Sequence, residues 1–166
     1  MPDTETVPLD DFARHVSEVL TRADSLFGSA PVDAPVAGSA AELTDAAELL
    51  RRSAAPEMSG SAVAGYTAFA QGRASRLARL ADTETQLDRL LQQAAISEST
   101  AAAASRLTVS AADGYAGRLV QTNAATGERP LIAALHSQVA RQREIVHRHQ
   151  EKAGELAAQA RLLSYE

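Results

Sequence analysis

The sequence predicts an all-α fold, an elongated antiparallel helical bundle, and three observations carry that reading. Of 166 residues 36 are alanine, and only 4% are aromatic, with no Trp. Helices favour such a composition, whereas strands draw on β-branched and aromatic residues. Leucines and valines also recur at three- and four-residue intervals to the end of the chain. The length allows one ordinary domain, or a domain with a tail. The organisation expected is an N-terminal helix over 1–27, a flexible linker over 28–38 and a bundle domain over 39–166. The bundle holds two long helices (about 62–95 and 130–163), a third at about 98–125, and a shorter one before them.

The first helix is read from Leu9, Phe12, Val16, Leu20, Ala23 and Phe27, which form one apolar stripe after Pro8. Gly28 to Gly38 contains two prolines and two glycines and no periodicity, which marks a linker. Ser39-Ala40-Ala41-Glu42 has the form of a capping box. Leu43, Ala46, Ala47 and Leu50 then give a short amphipathic helix that ends near Ser53, before Pro56. Glu57 to Ser61 reads as a turn.

The first long helix places Tyr66, Phe69, Leu77, Leu80, Leu87 and Leu91 within an arc of roughly 80° at 100° per residue. Arg73 and Glu84 fall in the same arc. They either snorkel from the edge of the seam or make a specifying polar contact inside a bundle or interface. Ser97-Glu98-Ser99-Thr100 either caps a new helix or decorates a continuous one. Leu107, Ala111, Tyr115 and Leu119 line one side of the third helix, with Gly114 and Gly117 lowering its intrinsic stability. Thr126 to Pro130 reads as stop, turn and restart. The last helix carries a heptad seam through Ile132, Leu135, Val139, Gln142, Val146, His149, Ala153, Leu156, Ala160 and Leu163.

Composition also excludes function classes. The net charge of −5 lacks the basic footprint of a nucleic-acid binder. No apolar run approaches the ~18–20 residues needed to span a bilayer. The acidic N-terminus does not fit a Sec or Tat signal, so the expected location is cytoplasmic, or outside the cell by another route. Without cysteine there is no disulfide, thiol nucleophile or Cys-ligated zinc.

The residues offer no reaction. Glu144-Ile145-Val146-His147 has the Glu-x-x-His spacing of di-iron bundles, but that chemistry needs a second such motif and two further glutamates. His147 also lies off the seam that holds His149. No Gly-x-Ser-x-Gly elbow, Walker loop or Gly-x-Gly-x-x-Gly occurs. The expectation is therefore no catalytic residue, no cofactor and no metal. Arg73, Arg76 and Arg79 form one basic ridge, and Arg141, Arg143, Arg148 and Lys152 another; each is a solvated face or a docking face for an acidic partner. Helices of ~50 Å need a continuous apolar groove, which the shorter helices do not fill. The seams are thus expected to bind a helical partner or a second copy, with Tyr66, Arg73, Glu84, Leu87, Gln142, His149 and Leu156 at the interface.

Glu57-Met58-Ser59-Gly60-Ser61-Ala62-Val63-Ala64-Gly65-Tyr66, with the distal Leu87-Asp88-Arg89-Leu90-Leu91, resembles the helical-hairpin proteins of actinobacterial type VII (ESX) secretion. Met58 and Gly60 occupy the positions of that family's Trp-x-Gly hairpin turn. The glycine matches, and methionine stands in place of tryptophan. The family's Tyr-x-x-x-Asp/Glu export signal has no counterpart after Tyr66 or Tyr115. The stretch from Pro130 to Tyr165 is similar to a mycobacterial family of uncharacterised helical domains. The resemblance implies a non-enzymatic interaction protein of type VII secretion or the actinobacterial envelope. The alternative it implies is a helical targeting or inhibitory module ahead of a cell-wall peptidase or transglycosylase.

Overall fold

The computed structural model describes residues 9–28, 39–53, 60–121 and 125–163. They form four helices, α1 (Leu9–Asp24), α2 (Ser39–Ser53), α3 (Ser61–Gln121) and α4 (Ala125–Arg161), with no strand among the described residues. The all-helical expectation holds. Of the expected linker only Gly28 is described; 29–38 lie outside the described residues, as does Met58 of the expected turn.

Two helix boundaries differ from the expectation. The long helix and the third helix are one, because α3 runs unbroken through Ser97–Thr100. No proline occurs between Gly60 and Gln121. The Ser99 hydroxyl donates back to the Ile96 carbonyl at 3.0 Å instead of capping a new helix. The last helix begins at Ala125 rather than Pro130, with Pro130 inside it. A proline one turn into a helix removes one backbone hydrogen bond without ending the run. At the start of α3, Gly60 takes φ +148° and its carbonyl accepts the Ala64 N–H at 3.0 Å. It thus fills the N-cap position in a conformation that a side chain disfavours.

The described residues fall into two compact units. One draws on Met1–Val32 and Ala95–Gly154, the other on Asp33–Ala94 and Glu155–Glu166. In the first, α1, the second part of α3 and most of α4 form a three-helix bundle. Side-chain contacts fix its directions. Ser17 Oγ donates to Asp113 at 2.9 Å, Ser105 Oγ to Asp24 at 2.5 Å, and the Gly28 N–H to Glu98 at 3.1 Å. As α1 ascends α3 descends, so the two are antiparallel. Phe12 meets His136 and Phe27 meets His149, so α1 and α4 run parallel. The core is Ala13, Val16, Leu20, Ala112, Leu119 and Leu135, with Phe12, Val109, Leu131 and Val139 packed around it. At the end of α1, Leu26 and Phe27 donate to carbonyls three residues back, which tightens the last turn. A Cβ at Gly28 would stand 3.0 Å from the Glu98 carboxylate, so glycine permits this close approach.

In the second unit α2 packs on the first part of α3. Ser39 Oγ donates to Glu84 at 3.4 Å, while Ser53 lies only a short connection from Ser61, an antiparallel hairpin. The buried side chains are small: Ala47, Ala70, Ala74 and Ala81, joined by Leu156 from α4. The inward face of α3 here passes through Val63, Thr67, Ala70, Ala74, Leu77 and Ala81, at alternating spacings of four and three. That face differs from the expected arc. Tyr66, Phe69 and Leu91 are exposed, Leu80 and Leu87 half-buried, and of the expected arc Leu77 alone lies on the inward face. Alanine at the centre of the seam admits a close helix neighbour, and the bulky residues are left to flank it. The α4 seam follows the expectation closely: of its ten positions only Ala153 is exposed.

Candidate functional site

The most distinctive surface lies in the α1-containing unit, where parallel α1 and α4 leave a groove between them. Its volume is about 270 Å³. Val19, Leu20, Ala23 and Leu26 of α1 line it, and Val139, Gln142, Arg143, Val146, His147 and Gln150 of α4 complete it. The sequence builds α1 with two adjacent apolar stripes. Ala13, Val16, Leu20 and Phe27 turn into the core, while Val19 and Leu26 stay 40% and 68% exposed. A single helix needs only one such stripe to bury itself against its own bundle. Sequence reasoning missed Val19 and Leu26, although Phe12, Val19 and Leu26 recur every seven residues beside the first stripe and mark a widened apolar face.

Beneath the groove a polar chain ties the three helices together. Gln142 Nε2 donates to Ser105 Oγ at 2.8 Å, and Ser105 Oγ donates on to Asp24 Oδ1. Ser105 and Gln142 are both buried, at 0% and 2% exposure. The second Gln142 amide atom, Oε1, is buried without a hydrogen-bond partner. Such an atom costs free energy, so this layer contributes less stability than its two hydrogen bonds alone would. One heptad further along α4, the His149 ring packs edge-on against Phe27 with centroids 5.3 Å apart, its Nδ1 buried and without a hydrogen-bond partner. Both polar seam residues of α4 are thus held inside the bundle.

The remaining residues expected at an interface fall in the other unit and do not converge on one site. Tyr66 is exposed. Arg73 is exposed and places its guanidinium 5.2 Å from the centre of the Phe69 ring. Glu84 is half-buried and accepts from Ser39, Leu87 is half-buried, and Leu156 is buried. The members of the Glu144-x-x-His147 motif turn to different surface neighbours, Glu144 to Arg148 at 2.6 Å and His147 Nε2 to Glu151 at 3.4 Å. Among the described residues no group of three His, Asp or Glu side chains could hold a metal ion. None of the described helices is long and apolar enough to cross a membrane. Arg73, Arg76 and Arg79 are exposed, as are Arg141, Arg143 and Arg148. No family model, no curated protein and no solved structure matches the chain.

Proposed function

We propose that this chain is a non-enzymatic helical interaction protein that receives a partner helix on its α1/α4 groove, in the setting of actinobacterial type VII secretion or the cell envelope. The observation that carries the reading is the groove itself. Six of its ten lining residues are Val, Leu or Ala, its exposed polar residues are Arg143, His147 and Gln150 while Gln142 is buried in its base, and two large apolar side chains on α1 project toward solvent. At about 270 Å³ it lies below the ~300–1,000 Å³ of small-molecule pockets. That volume suits a few side-chain knobs from a helix. The setting rests on the likeness of the 57–66 sequence and of the stretch from Pro130 to Tyr165 to type VII hairpin proteins and mycobacterial helical domains.

The lack of cysteine makes a direct test simple. A purified Leu26→Cys variant, labelled at its single thiol with a photocrosslinker and then added to an actinobacterial extract, is expected to capture a helical protein through one of its helices. The same label at exposed Arg106 on α3 serves as the control. Capture of a type VII or envelope component at position 26, lost on adding Val19→Asp, is the expected result. Equal capture from both positions, or none at position 26, would remove the proposal. A specific partner from another system would leave helix docking and remove the setting.

A further inference from the structure

We infer that the occupant of the α1/α4 groove is an amphipathic helix of another protein whose apolar stripe is flanked by acidic residues. This inference rests on the docking reading above and deepens it by naming the partner's chemistry. The whole chain is acidic, at −5, but the groove is not. None of its ten lining residues is an acid, and the cation on its α4 margin is Arg143, with the His147 imidazole one turn later. On the α1 side Arg22 stands three residues after Val19 and four before Leu26, on the same side of the helix as both. Both arginines are exposed. Of the nearby acids, Glu144 pairs with Arg148, Asp24 accepts from Ser105 beneath the groove, and Glu151 stands beside His147, while Glu18, one turn before Arg22, is exposed and is not among the residues that line the groove.

A largely apolar floor with one arginine on each side matches a helix with leucines along one stripe and carboxylates on both sides. The lining of α4 runs from Val139 to Gln150, about three turns of helix, which sets the length of the contact. The arginines would act on approach and orientation and the apolar floor on holding.

The test uses the full chain and two designed 18-residue peptides. Both carry leucines at i, i+3, i+4 and i+7 spacing; one is flanked by glutamates and the other by lysines. Binding is read by fluorescence anisotropy at low and high salt. The glutamate peptide is expected to bind at least about tenfold more tightly than its lysine twin, with the difference shrinking in high salt. Arg22→Glu with Arg143→Glu, both at exposed sites, is expected to reverse the preference. Leu26→Asp is expected to abolish binding of either peptide, with the helical circular dichroism spectrum unchanged. Equal binding of the two peptides, lost with Leu26→Asp, would overturn the charge inference and leave groove docking standing. Binding that ignores Leu26→Asp, or no binding of either peptide, would overturn the inference. A concentration-dependent dimer abolished by Leu26→Asp would assign the groove to a second copy and overturn it as well.

Discussion

The α1-containing unit buries Val16, Leu20, Phe27, Leu119 and Leu135 beside Ala13, Ala102 and Ala112, whereas the α2-containing unit buries Ala47, Ala70, Ala74 and Ala81 with Leu156. The same helix, α3, supplies a wall to both, and its inward positions keep the same alternation of threes and fours. What changes is the size of the knobs packed against it: Val16, Leu20 and Phe27 of α1 and Leu135 of α4 in the first unit, Ala47 of α2 in the second, while α3 itself buries mostly small residues in both. A buried leucine removes several times the apolar area of a buried alanine, at ~25 cal/mol per Å². An alanine seam holds mainly through close backbone approach and dispersion. Periodicity sets which side of a helix turns inward, and side-chain volume sets how much stability that side contributes. The large-residue unit is also the one that carries a polar layer and an open groove.

The contrast can be broken at four places. Leu135, fully buried in the first unit, should be the most costly: Leu135→Ala is expected to lose ~2–5 kcal/mol in urea unfolding. Next is the polar layer. Ser105→Ala leaves the Asp24 carboxylate and the Gln142 amide without their shared partner and should cost ~1–3 kcal/mol. A double-mutant cycle with Gln142→Leu should then show coupling between the two sites. In the second unit the sign of the volume change matters. Ala74→Leu overfills a seam built for small residues and should destabilise by ~1–3 kcal/mol, although leucine is the more apolar residue. The smallest effect belongs to Phe69→Ala. The ring is 61% exposed and its contact with Arg73 lies at the surface, so the change in stability should stay below ~1 kcal/mol.

The sequence was most readable where the seam is made of large residues. The α4 heptads from Ile132 to Leu163 stand out because Leu, Ile and Val recur in a polar background. The first half of α3 misleads for the opposite reason. Tyr66, Phe69 and Leu91 dominate any hydrophobic arc, yet the inward positions are Ala70, Ala74 and Ala81, which carry little hydropathic weight. The apparent break at Ser97–Thr100 has a local cause too: serine and threonine signal caps, but here their hydroxyls can bond back within an unbroken helix. Gln142 and His149 were visible as polar residues in a seam. Their partners, Ser105 and Phe27, were not, because the contact joins segments 37 and 122 residues apart. The groove was out of reach for the same reason: Val19 and Val139 become neighbours only once the bundle has formed.

The claim that the two units differ in strength through knob size is tested most directly along α3 itself, by native-state hydrogen exchange. Backbone amides over 105–119, where Ser105, Ala112 and Leu119 are buried against α1 and α4, should exchange slowly and approach the global unfolding free energy. Amides over 70–81, behind the alanine seam, should exchange through lower-energy openings, at least about tenfold faster. Equal protection in the two stretches, or slower exchange over 70–81, would contradict the account.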